Sequence, residues 1–477
     1  MSNLQSAAKV LTHLGYAIRK DTLSNEETAN LRKTLTVAPI SKVSRFAKQG
    51  DSFPVFMESP SRFYCPRMWA QEEFGEPDAN ILVEGDELRR DLTFVGKPYD
   101  YQTEIVNTFL EKGANGLICV PCGRGKTFMA IAIAAKLGRK FMIVVDKEFL
   151  LQQWAGELQS LMPGIRIGVL QENKKQISDQ YDCTIAMIQT LVQRDFAETD
   201  FRSFGFSIFD ECHHLGASHF SKALLKVQPK WMLGLSATPT RDDGLTKVFE
   251  WFLGKPVYWE KTREADPDVI VRKIPFDTDD DKYRNVPSTP QGDIILARLL
   301  TQVVECEERN KLIDKVLGEV VQDKQRRILV LSERKSHLER IGQGLPKGTT
   351  FGYYIGGMKE EVREEGARSA QVLLGTYAMA SEAMNIKTLN TMVMVSPRKK
   401  IEQSTGRILR TRKDEREVQP LIIDIVDSHD VYNGQWMKRR TYYRKCAYNI
   451  EGESKKEKKK AEDVSLSNAG QCMMVAD

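Results

Sequence analysis

Gly123-Arg124-Gly125-Lys126-Thr127 lies between an apolar run, Leu117–Val120, and a helical pattern, Phe128–Lys136. In such a strand–loop–helix setting the glycines let backbone N–H groups close on a phosphate, and the helix N-terminus adds a positive field. Lys126 is then placed for the β- and γ-phosphates of ATP, and the Thr127 hydroxyl for Mg²⁺. Val120 stands where the usual phosphate-loop pattern has its first glycine, so the strict eight-residue form is not met. Further on, Asp210-Glu211-Cys212-His213 closes the apolar run Phe206–Phe209. A carboxylate at a strand end is where a phosphate-loop enzyme holds Mg²⁺, here through Asp210, while Glu211 would orient or deprotonate a water. Leu235-Ser236-Ala237-Thr238-Pro239 ends another run, and its two hydroxyls can sense carboxylates at the neighbouring strand end. His213 is read as a hydrogen-bonding link between those two groups. The chemistry is metal-assisted hydrolysis of a nucleoside triphosphate.

These residues need strand ends to stand on. Short runs rich in Ile and Val recur: Leu117–Val120, Phe141–Val145, Thr184–Ile188, Phe206–Phe209 and Met232–Leu235. A second series follows, Ile328–Leu331, Val372–Leu374, Met392–Val395 and Leu421–Val426. Uniformly apolar runs fit strands buried on both faces, and their alternation with helical patterns implies an α/β chain with two parallel sheets in tandem. Residues 1–95 lack such a series. Ser24–Glu27 there forms a capping box that starts a helix running to about Leu35, and prolines then break the segment into short pieces, as in a small mixed or β-rich accessory domain. The reading is an accessory domain over 1–95, a first sheet domain over 96–262, a linker over 263–290 (in which Val269–Phe276 can be a strand), a second sheet domain over 291–450, and a lysine-rich disordered tail over 451–477.

The 477 residues are 41% hydrophobic and 28% charged, which excludes a largely disordered or collagen-like chain. The longest apolar stretch, Phe128–Ala135, is too short to span a bilayer, and no secretory leader opens the sequence. Eight cysteines in such a length suggest a reducing compartment, and Cys119 with Cys122 lacks the partners of a structural zinc site. The expectation is a soluble, intracellular protein. A net charge of +5 permits a polyanionic partner without arguing for one.

From Pro98 to about Tyr448 the motifs resemble those of superfamily-two helicases and translocases. The resemblance implies RecA-like sheet domains, ATP and Mg²⁺ as cofactors, and movement on nucleic acid. It makes Gln102 an adenine reader beside the phosphate loop (Gly123, Arg124, Gly125, Lys126, Thr127), and Gln153, Gln189, Thr190 and Thr376 nucleic-acid contacts. His213, Ser236, Thr238, Glu382 and Asn385 become coupling residues. The common Glu-Gly-x-Asp of the family is Glu382-Ala383-Met384-Asn385 here, and asparagine lacks the charge. Gln403–Arg410 matches the family's arginine motif. Arg407 and Arg410, three apart on an expected helix, would point one way toward the γ-phosphate, with Arg410 as the finger and Gln403 as a sensor.

Within the superfamily, Ser236–Gly244 and Glu308-Arg309-Asn310 look like the XPB-like branch, and the C-terminal stretch looks like helicases of large DNA viruses, including the poxvirus transcript-release type. Phage branch-migration helicases are the nearest competitor. That placement implies a DNA track favoured over RNA, movement 3′ to 5′, and work in viral transcription termination or in DNA repair and recombination, with transcription or replication machinery as partners. A viral origin would place the protein in the host cell and the virion. A nucleic-acid-stimulated ATPase that remodels a protein complex, and an RNA helicase, stay open. The basic–aromatic stretch Trp436–Tyr448 either grips nucleic acid or packs its aromatics on the second domain.

Overall fold

The computed structural model describes residues 7–40 and 52–453, apart from 198, 220, 242, 262, 263, 383, 385 and 412. Residues 454–477 of the expected tail over 451–477, and Asn385, lie outside the described residues. The chain divides into two compact units, one holding most of the residues up to Lys261 and the other those beyond it.

The first unit carries an eight-stranded sheet. Across it run Lys174–Lys175, Ile167–Gln171, Cys183–Met187, Phe141–Val145, Phe206–Phe209, Trp231–Ser236, Asn115–Cys119 and Pro256–Trp259. Every pairing is parallel except that of the short edge strand Lys174–Lys175. Helices on both faces leave each residue of Phe141–Val145, Cys183–Met187 and Phe206–Phe209 buried, which is why these strands read as unbroken apolar runs.

An accessory sheet in the same unit has the order Met57–Glu58, Arg62–Cys65, Gly15–Arg19, Lys9–Thr12, Ala79–Asn80. The helix Asn25–Thr34 follows Ser24, whose Oγ accepts from Glu27 N at 3.1 Å while Glu27 Oε2 accepts from Ser24 N at 2.7 Å. This reciprocal cap satisfies two helix-end donors that would otherwise be orphaned. Trp69 meets Trp251 edge-on at 6.4 Å and joins the accessory core to that of the large sheet. Arg67, 2% exposed, donates to Pro229 O at 2.8 Å and to Asn115 Oδ1 at 2.6 Å, at the first residue of the strand that leads into the phosphate loop. Its burial away from water pulls the guanidinium down to about 9.

The second unit holds a seven-stranded, wholly parallel sheet: Phe351–Tyr354, Val372–Thr376, Ile328–Ser332, Thr391–Met394, Leu421–Asp427, Ile270–Phe276 and Asn449–Ile450. Ile270–Phe276 thus lies within the stretch 263–290 whose composition reads as a linker. Two buried ion pairs anchor this sheet. Arg309 grips Asp427 with Nε–Oδ1 at 2.6 Å and Nη2–Oδ2 at 3.0 Å, both side chains being fully buried, and Arg439 grips Asp424 at 2.8 and 2.7 Å. No helix among the described residues is long and apolar enough to cross a membrane.

Candidate functional site

Three neighbouring strands of the first sheet, Phe206–Phe209, Trp231–Ser236 and Asn115–Cys119, run parallel and so end on one edge. Ligand chemistry in open α/β sheets gathers at such carboxyl edges. After Asn115–Cys119 the chain turns through the phosphate loop, with Gly123 at φ +88° and Gly125 at φ +79°. At φ +79° any side chain on Gly125 would be strained, and its Cβ would lie 2.4 Å from Gln102 Nε2 and push that amide off the loop. The helix Lys126–Leu137 begins at once, with Thr127 in its first turn.

Lys126 Nζ stands 3.7 Å from Glu211 Oε1, so the phosphate-seeking cation and the candidate base face each other. Glu211 adopts φ +44°, ψ +49°, a left-handed conformation rare for a residue with a side chain and frequent where function demands an aimed group. Asp210 Oδ1 accepts from Glu211 N at 2.9 Å, and its Oδ2 accepts from Trp154 Nε1 at 2.9 Å. Burial, then the charge of Glu211, pushes the Asp210 carboxyl up to about 6. Two adjacent carboxylates with one lysine against Glu211 favour added positive charge. Among the described residues no three His, Cys, Asp or Glu side chains gather to hold a metal. One carboxylate and one hydroxyl suit Mg²⁺, which keeps waters and phosphate oxygens as its other ligands.

The coupling residues form a chain. His213 Nδ1 lies 3.4 Å from Glu211 Oε2 and 3.0 Å from Ser236 Oγ, which accepts from Thr238 N at 3.1 Å. Burial pulls His213 down to about 4, so at neutral pH it is an uncharged hydrogen-bonding link. The strand Trp231–Ser236 lies between the other two strands, which is why its hydroxyls meet the Glu211 side of the site.

Gln102 is buried and committed to the loop. Its Oε1 accepts from Tyr99 N at 3.0 Å, and its Nε2 donates to Arg124 O at 3.2 Å. The Arg124 guanidinium lies 4.1 Å from the Tyr101 ring centre and pairs with Glu260 at 3.0 Å. Tyr99, exposed, stacks on Tyr101 with centroids 5.8 Å apart.

The candidate nucleic-acid residues of the first unit are wired into the fold to different degrees. Gln153 is half-buried on the helix Glu148–Leu161. Gln189 Nε2 donates to Asp146 O at 2.7 Å, while buried Thr190 accepts from Glu172 N at 3.0 Å through its hydroxyl. Trp154, the neighbour of Gln153, bonds Asp210, a partnership the sequence does not reveal. Its spacing with Leu150, Leu151 and Leu158 reads only as a helix core face.

In the second unit Thr376 ends the strand Val372–Thr376, and Glu382 ends the helix Tyr377–Glu382. Gln403 sits on the helix Glu402–Thr405, which stops there. The expectation that Arg407 and Arg410 share a helix is therefore corrected. Gly406 is a poor helix former, and the consecutive buried residues Ser404–Leu409 thread through the core as no amphipathic helix does. The two arginines still converge, since Arg407 Nη1 and Arg410 Nη2 both donate to Met384 O, at 2.7 and 2.9 Å. The basic–aromatic stretch packs inward. Trp436, Tyr443 and Tyr448 are buried, Tyr443 donates to Asp424 at 3.1 Å, and Arg440 and Arg444 pair with Glu453.

The family model for the res subunit of type III restriction enzymes matches residues 96–241. Protein L396 of Acanthamoeba polyphaga mimivirus, provisionally named an ATP-dependent RNA helicase, is 31% identical over 457 residues, covering 92% of this chain and 86% of the viral protein. The chain belongs to the superfamily-two helicases. Its parallel sheets are the RecA-like domains of that family, and the enzyme is a nucleic-acid-dependent ATPase. QP509L of African swine fever virus (strain Badajoz 1971), named in the same provisional way, is 28% identical over 392 residues, 74% of each chain. Among solved structures, the helicase domain of Pyrococcus furiosus Hef covers 74% of this helicase and 100% of its own length at 15% identity, with a TM-score of 0.48.

Proposed function

We propose that this helicase is a motor that steps along one strand of nucleic acid, closing its RecA-like domains on ATP and opening them after hydrolysis. The observation that carries the reading is the chain Lys126–Glu211–His213–Ser236, with Asp210 beside it at one sheet edge. Lys126 and Thr127 bind the phosphates, Glu211 orients and deprotonates the water, and His213 with Ser236 and Thr238 conveys the state of that carboxylate onward. Asp210 and Thr127 would hold Mg²⁺, whose charge neutralises the phosphate oxygens when bound. Arg407 and Arg410 supply the second domain's cations, with Arg410 as the finger. The γ-phosphate then favours the closed state, and its loss removes that differential contact. Gln102 positions the loop, and the exposed Tyr99, stacked on Tyr101, meets the base. Gln153, Gln189, Thr190 and Thr376 mark the backbone-binding side, with Glu382 and Asn385 coupling it to ATP. The working boundaries are an accessory domain to 95, RecA-like domains over 96–262 and 291–450, the second drawing the strand Ile270–Phe276 from the linker between them, and a tail from 451.

The XPB-like motifs favour a DNA track, 3′-to-5′ movement and a role in viral transcription or repair. The names of the mimivirus and African swine fever virus relatives favour RNA as the alternative track. Strand displacement on DNA and RNA duplexes with 3′ or 5′ tails tests both, with Lys126→Ala as the blank. Displacement of 3′-tailed DNA supports the first reading, and displacement confined to RNA replaces it with the second. ATP-dependent release of a tethered protein without strand separation would make the enzyme a remodeller.

A further inference from the structure

The helix Glu148–Leu161, capped by Lys147, carries Gln153, one of the residues the resemblance assigns to the nucleic-acid backbone, and one of its buried residues touches the ATP site. Trp154, 1% exposed, donates its indole N–H to Asp210 Oδ2 at 2.9 Å. The opposite oxygen of that carboxylate is held by the backbone N–H of Glu211 at 2.9 Å, so two donors fix the plane of Asp210. The residue before Lys147 is tied in as well. Asp146 accepts through its carbonyl from Gln189 at 2.7 Å, and its carboxylate lies 3.8 Å from His214 Nε2, beside the Asp210–His213 segment. Two segments expected to touch nucleic acid thus converge on Asp146-Lys147, and from there one rigid helix leads to Asp210.

We propose that Trp154 is a positioning residue that orients the Asp210 carboxylate, and that the helix from Lys147 to Trp154 relays nucleic-acid engagement to it. This rests on the ATPase reading of the site and adds how that site is regulated. A carboxylate with a rotatable χ2 must be held in one plane to ligate a small octahedral cation, and an indole N–H on a packed helix does this without adding charge. A shift of the helix start on binding a strand moves the indole, and with it the oxygen it holds. Trp154 does not touch the reacting atoms.

The test replaces Trp154 with phenylalanine and, in a second protein, with benzothienylalanine, which keeps the indole's shape and lacks its N–H. In the absence of turnover, Mn²⁺ binding in the presence of a non-hydrolysable ATP analogue is followed by electron paramagnetic resonance. It is expected to weaken about tenfold in both variants, a loss of roughly one charge-assisted hydrogen bond. The factor by which polynucleotide raises the ATPase rate falls at least fivefold, while polynucleotide affinity and the melting temperature of the benzothienylalanine protein stay at wild-type values. Wild-type Mn²⁺ affinity in that folded variant would overturn the proposal, as would an unchanged stimulation factor. A wild-type enzyme that no polynucleotide stimulates would instead remove the motor reading, and the Mn²⁺ titration would still decide the role of Trp154.

Discussion

The two parallel sheets of this helicase use their carboxylates in opposite ways. On the first sheet Asp210 and Glu211 follow a strand end, Glu211 with Lys126 at 3.7 Å and Asp210 accepting from two uncharged N–H donors, and burial pushes Asp210 up to about 6. On the second, Asp424 and Asp427 stand along and at the end of Leu421–Asp427, each clasped by a buried arginine with two hydrogen bonds. The second pair is engaged further: Tyr283 donates to Asp427 at 3.0 Å and Tyr443 to Asp424 at 3.1 Å, so each carboxylate accepts three hydrogen bonds. A carboxylate paired with a buried arginine and using three of about four acceptor sites within the fold has little left for a cation. The same architecture therefore yields a carboxylate edge that faces a lysine in one domain and one clasped by buried arginines in the other.

The contrast can be broken most severely at the lysine-facing edge. Lys126→Ala and Glu211→Gln are each expected to lower ATP turnover by at least about 10³-fold with the fold intact, as read by phosphate release and thermal melting. Arg410→Ala should cost about 10²- to 10³-fold in hydrolysis while leaving ATP affinity within a few-fold; turnover at the wild-type rate would sink its assignment as the finger. At the arginine-clasped edge the expected damage is to stability. Arg309→Met strands a buried Asp427 and should cost about 3–5 kcal/mol in urea unfolding, whereas Arg309→Met with Asp427→Leu should recover much of that.

A third carboxylate sharpens the comparison through pH. Burial pushes Asp182 up, but hydrogen bonds from Arg166 and Arg89 outweigh it and hold its carboxyl below the usual range. A depressed group contributes its stability in full above the unfolded value near 3.9 and loses it as pH falls through the folded value. Asp182→Asn should therefore cost about 1–2 kcal/mol at pH 7 and flatten the acid limb of the stability curve below pH 4. The smallest effect is expected at exposed Lys438 and Lys445, where alanine should change stability by less than about 0.5 kcal/mol. Polynucleotide affinity measured by fluorescence anisotropy should shift by less than about threefold, since the helix they occupy turns its aromatics inward.

How much of this was legible follows the range of the interactions involved. The strand runs, the capping box at Ser24 and the phosphate loop are local, so periodicity and spacing reveal them, and Phe141–Val145 and Phe206–Phe209 are read with the right bounds. The parallel pairing follows from the alternation with helices. Partnerships that join distant residues leave no such trace. Nothing in the spacing ties Trp154 to Asp210, Arg309 to Asp427 or Arg67 to Asn115, because each is settled by which helix packs over which strand end. The arginine motif shows the reverse error. A three-residue spacing suggested a helix, whereas a run of buried residues after Gly406 forms a turn that brings both guanidinium groups to Met384 O by another route.

The most direct test of the account is ATP hydrolysis by the wild type and Lys126→Ala, measured alone and with single-stranded DNA, duplex DNA, a four-way junction or RNA. The account predicts at least tenfold stimulation of the wild type by one of these polymers and none of the variant. Basal turnover in the wild type that none of the four raises would contradict it.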